Sequence, residues 1–146
     1  MRATSESFRQ TEYACIALLE LAARHGSGEP VRIRDIADRH GIPSRFLVQI
    51  LLQLKGAGLV ASTRGASGGY QMLKAPEEIS LGEVMAVIDG PADNGASSAA
   101  PDSAAGRILA DAWREINDLE RQMLGSLTFA DLIERAKAQN EPMYHI

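Results

Sequence analysis

The sequence predicts a mainly α-helical fold with one small β-hairpin. Three observations carry this. Apolar residues recur every three or four positions along most of the 146-residue chain. A short turn at Gly41-Ile42-Pro43 joins two amphipathic segments. Just beyond them, β-favouring residues flank a glycine-rich turn. The composition is globular, 45% apolar and 23% charged, and the length suffices to bury a core. The unbroken apolar run over residues 14–19 falls far short of the roughly 20 residues that span a bilayer. The polar opening at residues 1–6 lacks a secretory h-region. One cysteine, Cys15, excludes an internal disulfide framework. A cytoplasmic chain without a membrane partner is expected.

Residues 8–25 read as a helix. Tyr13, Ala14, Ile16, Ala17, Leu18, Leu19 and Leu21 cover more than one stripe, so the helix needs cover on two sides. Its own core supplies one side; a partner chain or a second long helix is expected on the other. Gly26-Ser27-Gly28 ends it, and Val31-Arg32-Ile33 is a short extended segment or a helix lead-in. Residues 34–40 form a short helix with Ile36 and Ala37 inward, stopped by Gly41. Pro43 disfavours helix at Ile42, and Ser44 is a suitable N-cap for a helix over residues 45–55. The inner set of that helix is Phe46, Leu47, Ile50, Leu51 and Leu54.

Two helices joined by such a turn make a helix-turn-helix unit. The outer face of the second carries Arg45, Val48, Gln49, Gln53 and Lys55, free to enter a major groove about 12 Å wide. Residues 59–64 read as a strand, 65–69 as a turn and 70–73 as a returning strand. A hairpin directly after a helix-turn-helix gives a winged helix. Arg64 stands beside Gly65, Gly68 and Gly69. Glycines let backbone N–H groups approach a phosphate, and an arginine there fits the electronegative minor groove. An ordinary glycine-rich surface hairpin is the competing reading.

Ser80 and Glu83 form a capping box before a helix over 81–89, with Val84, Met85 and Ile88 as its stripe and Gly90 as its end. From Gly90 to Gly106 the chain holds only Gly, Pro, Ala, Asp, Asn and Ser, a flexible loop. Residues 107–126 form a long helix in which Leu109, Trp113, Ile116, Leu119 or Glu120, Met123 and Leu127 recur at helical spacing. That stripe must be buried, and the second face of the first helix in another copy is the expected cover. Thr128 caps a last helix over 129–137, with Leu132 and Ile133 inward. The expected organisation is a DNA-binding head (1–90), a flexible loop (91–106), dimerisation helices (107–138) and a loose tail (139–146). Leu109, Trp113, Ile116 and Met123 are the dimerisation candidates.

The formal net charge of −4 hides an asymmetry. Residues 1–75 hold ten basic and six acidic residues, or +4, and residues 76–146 hold five and thirteen, or −8. A basic head on an acidic remainder is expected where only the head faces a polyanion; helices that merely differ in surface charge give the same count.

The runs Tyr13-Ala14, Ala17-Leu18-Leu19, Ile36-Ala37, Gly41-Ile42, Phe46-Leu47, Gln49-Ile50-Leu51 and Ala57-Gly58-Leu59-Val60, and above all Arg64-Gly65-Ala66-Ser67-Gly68-Gly69-Tyr70, resemble the Rrf-two family of bacterial transcription regulators. Ile79-Ser80-Leu81 and Ile88-Asp89-Gly90 also match. The resemblance covers residues 1–90, more loosely the helices beyond. It implies a homodimeric winged-helix repressor on a pseudo-palindromic operator in double-stranded DNA. Ser44, Arg45, Phe46 and Gln49 then lie at the groove-facing start of the recognition helix, with Lys55 further along it. Arg64, Gly65, Ser67, Gly68, Gly69 and Tyr70 make the wing. Many members carry a carboxylate where this chain has Val48, an apolar side chain suited to a thymine methyl. Cluster-binding members carry three cysteines in the loop before the long helix, and this loop has none. Glu12 lies where some relatives offer an acidic ligand, but Glu12 and one thiol do not make an ordinary cluster site. His25, His40 and His145 lack metal-ligand spacing. No cofactor or metal is therefore expected. The signal is left open between an effector protein, a small ligand and oxidation of Cys15, whose apolar neighbours favour simple packing.

A winged-helix module that binds protein and has lost DNA binding is the alternative, supported by the overall acidity and by Val48. No nucleophile–base pair, phosphate loop or metal motif points to an enzyme.

Overall fold

A computed structural model describes residues 5–90, 100 and 102–139. The elements run α1 (Ser5–Ala23), α2 (Ile33–His40), α3 (Ser44–Gly56), β1 (Val60–Thr63), β2 (Gly69–Met72), α4 (Leu81–Asp89), α5 (Ala104–Ser126) and α6 (Phe129–Ala138). Most of the expected loop, residues 91–99 and 101, and most of the expected tail, residues 140–146, lie outside the described residues.

The core is built around α1, whose Ala14, Ala17, Leu18 and Leu21 are buried. Leu47, Ile50, Leu51 and Leu54 of α3 join it, together with Ile36, Leu59, Ile79, Val84 and Phe129. Helix α1 packs on α2 and α3, and also on α4 and α6 of the same chain. Helices α4 and α6 of this chain thus cover part of the face for which a partner chain or a second long helix is expected. Tyr13, Ile16 and Leu19 stay half-buried.

Capping explains the boundaries. Gly41 ends α2 in the left-handed region, φ 66° and ψ 32°, with its N–H on the Ala37 carbonyl. Ser44, expected as the N-cap of α3, is its first helical residue; Pro43 occupies the cap with extended backbone and no side-chain hydrogen bond. The Ser80 hydroxyl accepts from the Glu83 N–H at 3.1 Å, but the Glu83 carboxylate turns to Lys74 at 3.3 Å, so only half of the expected box forms. Thr128 and Asp131 complete a full box on α6. The Thr128 backbone N–H holds the Asp131 carboxyl below the usual carboxylate range.

Helix α5 begins earlier than expected. Residues 104–106, assigned to the flexible loop, form its first turn, with the Ser103 hydroxyl accepting from the Gly106 N–H at 3.1 Å. At 23 residues it is about 34 Å long. It leans on α4 where Gly82 meets Leu124, and α6 then returns to the head. Leu81 N–H donates to Leu127 O at 2.9 Å, Phe129 N–H donates to Ile79 O at 3.0 Å, and the Phe129 ring is fully buried.

Candidate nucleic-acid interface

Helix α3 is held by its inner face, which leaves the other face to solvent. Ser44, Arg45, Gln49, Gln53 and Lys55 are exposed, with Val48 and Leu52 among them. Phe46 is half-buried: its ring lies 6.0 Å from that of Tyr13 on α1, and the Arg45 guanidinium carbon lies 5.0 Å from its centroid, over the ring. Phe46 thus anchors the start of α3 and orients Arg45 by a cation–π contact. Lys55 donates to the Ser62 hydroxyl at 2.8 Å and ties the end of α3 to β1.

The wing is antiparallel, with Val60 opposite Met72 and Thr63 opposite Gly69. A third segment supports it. Val31 and Tyr70 exchange both backbone hydrogen bonds at 2.8 Å, and the Arg32 guanidinium donates to the Ala66 carbonyl at the wing tip. The sequence reading left Val31-Arg32-Ile33 open; the structure makes it a bridge followed by the lead-in to α2. Arg32 was not among the expected site residues. A basic residue on an extended segment just before a helix-turn-helix is its only sequence signal.

The wing glycines have different jobs. Gly65 adopts φ +104° in open space, so it serves the turn itself. A Cβ on Gly68 would stand 2.1 Å from the Thr63 carbonyl oxygen, and one on Gly69 2.5 Å from that of Val31. Both are required for the chain's own close approach, and the Gly68 N–H is already donated to Gly65 O at 3.0 Å. Ser67 is exposed at the tip and Tyr70 half-buried beneath it. Arg64 is exposed and makes no ion pair or hydrogen bond among the described residues. The hairpin, tied to the end of α3 through Lys55 and Ser62 and to Val31 by a backbone bridge, thus presents a cation that has no partner among the described residues.

A buried charge cluster braces the unit from behind. Glu20 on α1 is 2% exposed. Arg39 donates to its Oε2, His40 Nε2 lies 2.9 Å from its Oε1, and Arg24 Nε lies 4.0 Å from Oε2. This cluster fixes the end of α2, next to the turn into α3. Sequence reading did not find it.

Cys15 is half-buried on α1. Burial pushes its thiol from the ordinary 9.0 up to about 11, and the Asp89 and Glu12 carboxylates add to the rise. A thiol is reactive as its thiolate. Cys15 is accordingly expected to react slowly with iodoacetamide at pH 8 and to accelerate only as the pH approaches 11. Fast labelling of the folded chain at pH 8 would contradict this. The unfolded thiol ionises first, so this group contributes stability below pH 9 that is lost between about 9 and 11.

The sequence profile of the Rrf2 family, described as iron-dependent transcriptional regulators, matches residues 8–135. The chain belongs to the Rrf2 family. It is 33% identical over 135 residues to the transcriptional regulator CymR of Bacillus subtilis, covering 92% of this chain and 94% of that one. It is 35% identical to the regulator IscR of Vibrio cholerae, covering 91% and 75%. A Rhodobacter capsulatus rrf2-like regulator is 53% identical over 85 residues, 57% of either chain, so this chain spans little more than half of that relative. The solved structure of CymR, the global cysteine regulator of B. subtilis, superposes with a TM-score of 0.77 at 29% identity over 92% of this chain and 98% of that one. That of T. potens IscR gives 0.77 at 28% identity over 99% and 97%.

A thiolate-held iron–sulfur cluster does not fit the donors of this Rrf2 chain. A cluster is ordinarily held by several thiolates, and the whole sequence has one cysteine. The described residues include no group of three or more His, Cys, Asp or Glu able to hold a metal. None of the described helices is long and apolar enough to cross a membrane.

Proposed function

We propose that this Rrf2 protein works as a cytoplasmic homodimer that binds a pseudo-palindromic operator in double-stranded DNA and represses transcription, with no iron–sulfur cluster and no catalytic activity. Helix α3 enters the major groove through Ser44, Arg45 and Gln49. The wing, residues 64–70, rests on the adjacent minor groove and backbone. The observation that carries this is the unpaired Arg64 on a hairpin pinned to the helix-turn-helix by Val31 and Arg32. Phe46, Lys55, Gly68, Gly69 and Tyr70 hold these elements in place.

The apolar face of α5 supports the dimer. Ile108, Leu109, Trp113, Ile116, Leu119 and Met123 are each more than half exposed. A contiguous apolar face of this extent on a soluble chain marks an interaction site, and a second copy offers the same self-complementary stripe. Arg114 with Asp111, and Arg121 with Asp118, hold the charged flank within the helix itself. The effector is another protein or a small ligand. Stoichiometric iron in anaerobically purified protein would contradict the cluster-free reading.

Selection of genomic fragments by the purified protein tests the DNA role. One enriched pseudo-palindromic motif is expected; no enrichment at moderate salt would favour a protein-binding module. Arg64→Ala is expected to weaken operator binding about tenfold and to lower the slope of log K against log salt by about 1, with the dimer unchanged in gel filtration. Unchanged affinity and slope would remove the wing from the interface.

A further inference from the structure

We infer that Val48 selects the 5-methyl group of a thymine in each half-site. This rests on the DNA-binding role proposed above and names what one position of that site reads. Val48 is 41% exposed and Leu52, one turn further along the same side of α3, is 51% exposed. Neither is needed to hold the helix, because Leu47, Ile50, Leu51 and Leu54 already fill its inner face. A β-branched residue is also a poor choice for a solvated helix position. Val48 therefore offers an apolar surface that the described residues leave open over two fifths of its area.

Its neighbours decide what covers it. Arg45 and Gln49 lie on the same outer face, and the unpaired Arg64 stands on the wing. A cationic, amide-bearing rim suits a polyanion better than an apolar protein groove. In the major groove the thymine methyl is the apolar group that base edges display. Gln49 beside Val48 has the donor and acceptor that pair with the N6 and N7 of adenine. The two adjacent side chains thus suit A·T pairs, with the methyl seated on the Val48 isopropyl group.

The test uses the full chain and its own selected operator. Each thymine in turn is replaced by deoxyuridine, symmetrically in both half-sites, which deletes only the methyl, and affinity is measured by fluorescence anisotropy. At one position the loss is expected to be about fourfold per half-site, the worth of one buried methyl group. Val48→Ser, which puts a hydroxyl where the isopropyl group stood, is expected to bind the thymine and uracil forms of that position alike. The fold is safe in this variant, since the site is exposed and serine is as good a helix former as valine. Tight operator binding indifferent to every methyl, or Val48→Ser that still discriminates, overturns the assignment and leaves the DNA-binding role standing. If no duplex is bound at all, both fall.

Discussion

Replacement of Glu20 by alanine is expected to cost about 3 kcal/mol of folding stability, read as a lower midpoint in urea at unchanged m. The carboxylate is almost fully enclosed and faces Arg39, His40 and Arg24. Without it two guanidinium groups lose their compensating charge in a site where Arg24 Nε and Arg39 Nε already make no hydrogen bond. The Arg39 side chain is 13% exposed and can swing partly into water, which keeps the cost at the lower end of the range for a broken buried pair. The damage falls on the end of α2, which otherwise rests on Ile36 and Ala37. DNA affinity should drop with stability, because α2 braces α3, the helix proposed to read the groove. A loss under about 0.5 kcal/mol would mean that the ion cluster does not hold α2.

Charge placed on the α5 stripe should act the opposite way, on assembly and not on the fold. Trp113→Glu combined with Ile116→Glu is expected to leave the unfolding midpoint of the isolated chain unchanged, since both side chains are 51% exposed. It should convert the dimer to a monomer in sedimentation. Two heads on one dimer engage the second half-site at high effective concentration, so operator affinity should fall about a hundredfold or more. A variant that stays dimeric would show that α5 is not the interface.

The head was largely legible because its signals are local. Spacing gave the inner face of α3, glycine marked the end of α2, and the glycine-rich run marked the wing. What stayed hidden depends on contacts distant in sequence. Glu20 meets residues 19 and 20 positions away, so it looked like one polar residue in an apolar helix. Val31 pairs with Tyr70 across the fold, which no local pattern announces. The part of the α1 cover that comes from α6 was hidden for the same reason: α6 returns to α1 only after α5 has run its full length. The early start of α5 was missed because Ala104-Ala105-Gly106 shares the small-residue composition of the preceding stretch, although Ser103 is a favoured N-cap and alanine the best helix former. Gly68 and Gly69 fall in the hairpin as expected; the sequence offered phosphate access as their reason, and the geometry adds a clash of any Cβ with their own chain.

Sedimentation velocity of the protein on its selected duplex asks most directly whether two joined heads read the operator together. Two chains per duplex are expected, with binding lost when one half-site is scrambled or when the half-sites are moved apart by about half a helical turn. One chain per duplex, gripping a lone half-site as firmly as the whole operator, would contradict it.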